Sequence, residues 1–272
     1  MSDVPGSQLA RSELGLRLEA ARKRAKKTQA DVAEAKIFGL SKLREIERGI
    51  QADPGDVFTL CRFYELDKAE TDELIGLADM AKSEAFWEDS KHAVPGWFEL
   101  YLACEHRCSK LSYWHPELVP GVFQTPDYAE SVINTIGTAD PAAIRTRMRV
   151  RAERQQSMLE RGDRTVEIVL GPGAFEMELG SAQVMTAQRA ALCELSQRPG
   201  IAIRVVPRRA GAHPGLAARF SLLDFADDHR PSVVYLEALT GARYLEGRRH
   251  VTAYRQAFAK IWELSVPIEE FK

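Results

Sequence analysis

The first eighty or so residues of this chain are cut by start and stop signals set too close together for any long element. Leu14, Leu18, Ala21 and Ala25 recur at i, i+4, i+7 and i+11, one face of a first helix. Thr28 offers an N-cap to a short second helix holding Val32 and Ala33. A third carries Leu43 and Ile46 at i, i+3, and Gly49 stops it. Asp53-Pro54 opens a fourth, with Val57, Leu60, Cys61 and Tyr64 as its buried stripe. Asp67 caps a fifth, turning Leu74, Ile75, Leu77 and Ala78 inward. Helices this short are marginal alone, so their stripes must pack on one another. The pattern predicts an all-α five-helix domain over 9–82, behind a flexible N-terminus at 1–8.

The net charge of −2 hides a division along the chain. Between Leu9 and Gly49, eleven Lys and Arg face six Asp and Glu, a net of +5. From Ile50 to Leu100, four face twelve, a net of −8. A basic segment beside an acidic one implies a face made for a polyanion, most simply a nucleic acid. No apolar run approaches the ~18 residues of a membrane helix. The start, MSDVPGSQLARSEL, lacks a basic-then-apolar signal region. Four irregularly placed cysteines make no disulfide framework, so a reduced cytoplasmic protein, associated with the nucleoid, is expected.

From Glu84 the texture changes. Aromatics become dense, as in Trp97, Phe98, Tyr101, Tyr113 and Trp114, and Pro-Gly breaks fall at Pro95-Gly96 and Pro120-Gly121. Thr125-Pro126 starts a helix through Ile136, and Asp140-Pro141 starts another to about Arg161. Helices are also expected over 181–196 and 247–264. Strand-like runs occupy Thr165–Leu170, Ile201–Val206, Phe220–Phe225 and Val233–Glu237, the last two joined by a turn at Asp227–Pro231. Residues 83–272 are therefore expected to form a larger α+β domain, with helices and a small, mainly antiparallel sheet.

Thr28 to Gly49 in full reads TQADVAEAKIFGLSKLREIERG. It resembles the Cro/repressor-type, xenobiotic-response-element class of helix-turn-helix, with T-Q-x-x-apolar-A, a turn, and an apolar-x-x-I-E-x-G ending in ungapped register. Two positions depart from that pattern. Ile37 replaces the turn glycine, and Gly39 stands where a Ser or Thr cap is usual, supplying either the unusual backbone or the cap. The loop Ile50–Asp53 lacks basic residues. The resemblance implies that the third helix enters the major groove of double-stranded DNA as a dimer on paired half-sites. Leu40, Ser41, Arg44 and Glu45 then face base edges, where Arg44 suits guanine, Glu45 a cytosine amino group and Leu40 a thymine methyl. Gln29, Gly39, Lys42 and Arg48 flank them, with Gln29, Lys42 and Arg48 suited to phosphate. The family pattern also implies that Glu47 pairs with Arg22 and is structural.

Further on, VPGVFQTPDYA (Val119–Ala129) resembles the V-P-G-L-L-Q-T-x-x-Y-A signature of a domain of unknown function found in actinobacterial antitoxin-like regulators. RAERQQSML (Arg151–Leu159), GAHPG (Gly211–Gly215) and VYLE (Val234–Glu237) agree with the same family. That resemblance implies a transcriptional regulator, often encoded beside a small acidic partner protein. It names no ligand. On the residues themselves, Gln124, Tyr128, Arg147, Arg151, Arg154 and Glu237 form a candidate effector or partner site, with the arginines on one helix face suited to carboxylate or phosphate.

Cys104, His106, Cys108 and His115 lack a zinc-ligand spacing, and Gly171-Pro172-Gly173 is a turn rather than a phosphate loop. With no nucleophile elbow, zinc-protease motif or paired catalytic carboxylates, neither an enzyme nor a cofactor or metal is expected. The reading is a DNA-binding regulator with no membrane partner. An antitoxin-like module that neutralises a small partner and a ligand-responsive switch stand as alternatives.

Overall fold

The computed structural model describes residues 8–50, 52–82, 96–135, 140–226, 231–239 and 241–271. The expected flexible N-terminus before Gln8, the start of the second domain at 83, the break at Pro95, the helix end at Ile136 and the turn at 227–230 lie outside the described residues. Five helices come first: α1 (Gln8–Arg24), α2 (Gln29–Glu34), α3 (Leu40–Glu47), α4 (Pro54–Phe63) and α5 (Lys68–Lys82). Their inward faces are those the spacing selects, with Leu14, Leu18, Ala21, Val32, Leu43, Ile46, Val57, Leu60, Cys61, Tyr64, Leu74, Leu77 and Ala78 buried and Ile75 half-buried against them.

Four of these helices end alike. The residue after the cap turns left-handed, and two N–H groups fold back on the last carbonyls, satisfying acceptors the helix leaves open. At α2, Lys36 N–H donates to Ala33 O (3.0 Å) and Ile37 N–H to Val32 O (3.2 Å). Lys26, Lys36 and Glu65 take this conformation at φ 56°, 55° and 57°, and Gly49 takes it at 71°. Gly39 does not. It occupies the N-cap of α3 at φ −67°, ordinary extended backbone, so the unusual backbone of the turn belongs to Lys36 and Gly39 supplies only the cap position.

The remainder is α6 (Gly96–Arg107), β1 (Lys110–His115), α7 (Pro126–Thr135), α8 (Pro141–Glu160), β2 (Thr165–Leu170), the one-turn α9 (Gly173–Glu176), α10 (Ala182–Ser196), β3 (Ile201–Val205), β4 (Phe220–Asp224), β5 (Val233–Ala238), β6 (Gly241–Leu245), α11 (Arg248–Leu264) and β7 (Val266–Pro267). The strands make one seven-stranded sheet in the order β6-β5-β4-β1-β2-β3-β7. β1, β2 and β3 run parallel, joined by helical crossovers, and the outer pairings are antiparallel. This is the expected α+β architecture with three further strands: β1, β6 and β7. Trp114, Val169, Phe220, Leu222 and Val234 point to the face covered by Val251, Phe258 and Ile261 of α11. Leu111, Tyr113, Ile168, Leu223, Val233 and Tyr235 point the other way, toward α6 and its neighbours.

The two parts share a core, since Leu9, Leu14 and Leu18 belong to the same cluster as Leu100, Tyr101 and Cys104. Polar contacts cross the junction as well. Leu9 N–H donates to Glu246 Oε2 at 2.9 Å, and the buried carboxylate of Glu13 accepts from Arg17 of its own helix (3.0 Å) and from Arg107 of α6. Among the described residues, no helix is long and apolar enough to cross a membrane.

Candidate nucleic-acid interface

Thr28 and Asp31 cap α2 reciprocally: Thr28 Oγ1 accepts from Asp31 N–H (3.1 Å), and Asp31 Oδ2 accepts from Thr28 N–H (2.6 Å). Those hydrogen bonds, the backbone one first, hold the Asp31 carboxyl below the ordinary range. The cap fixes where α2 begins, and with it Gln29. α3 is pinned underneath by Leu43 and Ile46, which leaves Leu40, Ser41, Lys42, Arg44, Glu45 and Arg48 on its outer side. Leu40 keeps 41% of its surface open, a large apolar side chain at the head of an otherwise polar face.

A relay of polar contacts runs from the core to this face. Arg22, on α1, donates two bonds to Glu47, Nε to Oε1 at 2.6 Å and Nη2 to Oε2 at 3.1 Å. Both side chains are over nine-tenths buried, so the fork-to-fork geometry offsets their desolvation. The hydrogen bond to Glu47 raises the Arg22 pKa further above its ordinary value. Glu47 Oε2 also accepts from Gln29 Nε2 (2.7 Å), and Gln29 Oε1 accepts from Arg44 Nε (3.3 Å). Gln29 therefore has both ends of its amide engaged within the domain. Lys42 reaches sideways to Asp56 of α4 at 3.0 Å, with its ammonium 4.4 Å from the Phe38 ring centroid. Glu47 is absent from the exposed face, while Glu45 remains on it.

The second candidate site comes together only in part. Arg151, Arg154 and Glu237 line a cavity of about 110 Å³ between α6, α8 and the sheet. Arg154 forks onto the buried Glu105, with both N–O distances 2.8 Å, and Glu105 accepts from Tyr113 at 2.8 Å. Burial opposes ionisation of Glu105, yet the Arg154 charge and these bonds bring its carboxyl below the usual range. Gln124 stands one step behind the wall, accepting from Arg151 and donating to Val119 O at 2.7 Å. Tyr128 is buried beneath, with Val119 N–H donating to its hydroxyl at 3.3 Å. Arg147 is not in the wall. Sequence reasoning missed Arg219, His115, Tyr101, Tyr113 and Tyr235, which also line it. For Tyr101 and Tyr113 the crowding of aromatics after Glu84 was the visible signal. Cys104 and Cys108 are buried, and His106 Nδ1 lies 3.0 Å from Ser157 Oγ.

Residues 13–74 match a family described as a helix-turn-helix domain, and residues 98–270 match one described as a domain of unknown function (DUF5753). No curated protein and no solved structure matches the chain.

Proposed function

Since the chain belongs to the family described as a domain of unknown function (DUF5753) and carries a helix-turn-helix domain ahead of it, we propose that it is a sequence-specific transcriptional regulator. In this reading it binds double-stranded DNA as a homodimer through a unit at 9–82, and residues 83–272 bind an effector or partner. It works in the cytoplasm on the nucleoid, and DNA binding needs no cofactor. The observation that carries the reading is the relay Arg22–Glu47–Gln29–Arg44, which ends on the exposed face of α3. A guanidinium held from behind is oriented before it meets a base edge, so less rotamer freedom is lost on binding. Arg44 is the base reader, with Leu40, Ser41 and Glu45 beside it. Gln29 positions Arg44, and Lys42 and Arg48 take phosphate.

Genome-wide footprinting tests this first. A palindromic site with affinity falling steeply as salt rises is expected, and the absence of any protected site would sink the proposal. Arg44→Ala should cost about 1–3 kcal/mol at one base position and relax the preference there, whereas Lys42→Ala should weaken all duplexes evenly. Superimposable sequence profiles for the two variants would contradict the division of roles.

A second reading gives the C-terminal unit a small acidic partner protein. It is supported by α8, which turns Arg145 and Arg149 to solvent. Reversing both charges should then abolish co-purification of such a partner with the full chain, and unchanged recovery would remove the support.

A further inference from the structure

The cavity beside α8 is lined by charges that do not cancel. Arg154 is matched by Glu105, and Arg219 by Glu237 at 3.4 Å. Arg151 makes no ion pair among the described residues, where its hydrogen bond goes to the neutral Gln124 Oε1, and Glu237 acts on it only from beyond contact distance. Its guanidinium lies against Gly121, where a Cβ would stand 3.4 Å from Cζ, Nε and Nη2. Burial, with the neighbouring Arg154 charge, pushes the Arg151 pKa down to about 10, outweighing the opposing pull of Glu237. His115 in the same wall is held neutral at neutral pH, its pKa pushed down to about 3 by burial and by Arg219, so it neither adds to nor offsets that charge.

Tyr235 supplies a second, independent sign. It lines the cavity and is 5% exposed, and its buried hydroxyl has no hydrogen-bond partner among the described residues. A buried hydroxyl without an acceptor is costly and uncommon. Around these polar groups the wall is aromatic: the Phe98 and Tyr101 rings stack at 5.6 Å, and Tyr101 and Tyr235 meet at 4.3 Å. At about 110 Å³ the cavity is smaller than the roughly 150 Å³ that encloses benzene, so it takes a single ring only in part, the remainder standing in its open mouth.

We propose that this cavity is the binding site for a small ring-bearing organic carboxylate, whose carboxylate is clasped by Arg151 and accepts from the Tyr235 hydroxyl while its ring lies against Phe98 and Tyr101. The proposal rests on the reading of residues 83–272 as an effector-binding unit and supplies the class of effector. A planar carboxylate matches the guanidinium fork, and the aromatic wall favours an organic acid over inorganic phosphate.

The test is calorimetric titration of the full chain with phenylacetate, phenylacetamide and inorganic phosphate, without DNA. Phenylacetate, with about ten heavy atoms, should saturate one site with Kd on the order of 1 mM or tighter. The neutral amide and phosphate should each bind at least about tenfold more weakly, the size of a lost charge-assisted pair. Arg151→Met should lose about tenfold, and Arg151→Lys should fall between it and the wild type. Tyr235→Phe should raise the melting temperature of the protein alone while weakening phenylacetate a few-fold, because it removes a hydroxyl that only the ligand satisfies. If Arg151→Met does not fold, by circular dichroism, the lysine and phenylalanine variants carry the test. Phenylacetate failing to saturate by about 20 mM, the amide or phosphate binding as well as phenylacetate, or folded Arg151 variants binding like the wild type would each overturn the proposal. Operator binding is measured separately by anisotropy, so failure there and failure here are told apart.

Discussion

Lys36 stands in left-handed backbone, φ 55°, at the turn between α2 and α3. That conformation costs a side-chain-bearing residue about 1–2 kcal/mol, and glycine's larger unfolded-state entropy takes back about 0.5–1 kcal/mol. Lys36→Gly is therefore expected to stabilise the protein by about 0.5–1 kcal/mol, read as a higher urea midpoint at unchanged slope. A lower midpoint would show that the lysine side chain contributes more than its strain. The position is invisible in the sequence because the glycine sits three residues later, at Gly39, in backbone any residue adopts. His115 gives a pH test at the same scale. Its folded-state pKa is depressed to about 3 from 6.5, by burial first and then by Arg219, against a backbone contact from Leu118 that raises it. The unfolded chain takes up the proton first, so this stability is present above 6.5 and is lost as pH falls toward 3. His115→Asn should flatten the dependence of unfolding free energy on pH between about 6.5 and 5 by up to about 1.4 kcal/mol per unit. An unchanged slope would place the wild-type imidazole in solvent.

Among the elements, the crossing of α1 over the end of α3 decides whether the exposed face of α3 is held. A Cβ at Gly15 would lie 2.5 Å from Glu47 O and 2.8 Å from Ile46 O. One at Gly49 would lie 2.6 Å from Ser12 Cα. The two glycines let the backbones approach closely enough for Arg22 to fork onto Glu47. Gly15→Ala should destabilise by about 2 kcal/mol through displacement of α1 and weaken duplex binding, although helix propensity alone favours alanine by about 1 kcal/mol. Stabilisation would show that the crossing yields freely. This close approach was not legible, because a glycine inside a helical pattern carries no sign of what it faces. β1 was missed for a different reason. KLSYWH buries its four central residues on both sides of the sheet, so no two-residue alternation marks it as a strand. The helices of 9–82, by contrast, each expose one face and bury the other, and their stripes, their caps and the stop at Gly49 were readable.

At the scale of the whole molecule, α6 joins the two parts. Phe98, Tyr101 and Glu105 on it face the cavity region, and its last residue, Arg107, reaches the buried Glu13 of α1. Glu13→Gln would take the buried carboxylate away from Arg107 and from Arg17, which keeps Glu73 at 3.5 Å. Both arginines keep about a third of their surface exposed, so the expected cost is about 2 kcal/mol, below that of a fully buried pair. All four tryptophans lie beyond residue 86, so fluorescence follows the C-terminal part while circular dichroism follows both. The two probes should melt together in the wild type and apart in Glu13→Gln. Coincident curves with an unshifted midpoint would remove the junction's assigned role.

Local chemistry by itself determined the five helices, the exposed residues of α3 and the α+β character of the C-terminal part. Caps, stops and apolar spacing act within a few residues and leave their mark in the sequence. Tertiary structure alone decided that Gln29 is held between Glu47 and Arg44, that Glu13 is buried at a junction, and that Arg151 and Tyr235, 84 positions apart, line one cavity. Those outcomes depend on which elements pack together, and a lone glutamate, glutamine or arginine reads as a surface residue until its partners arrive from elsewhere in the fold.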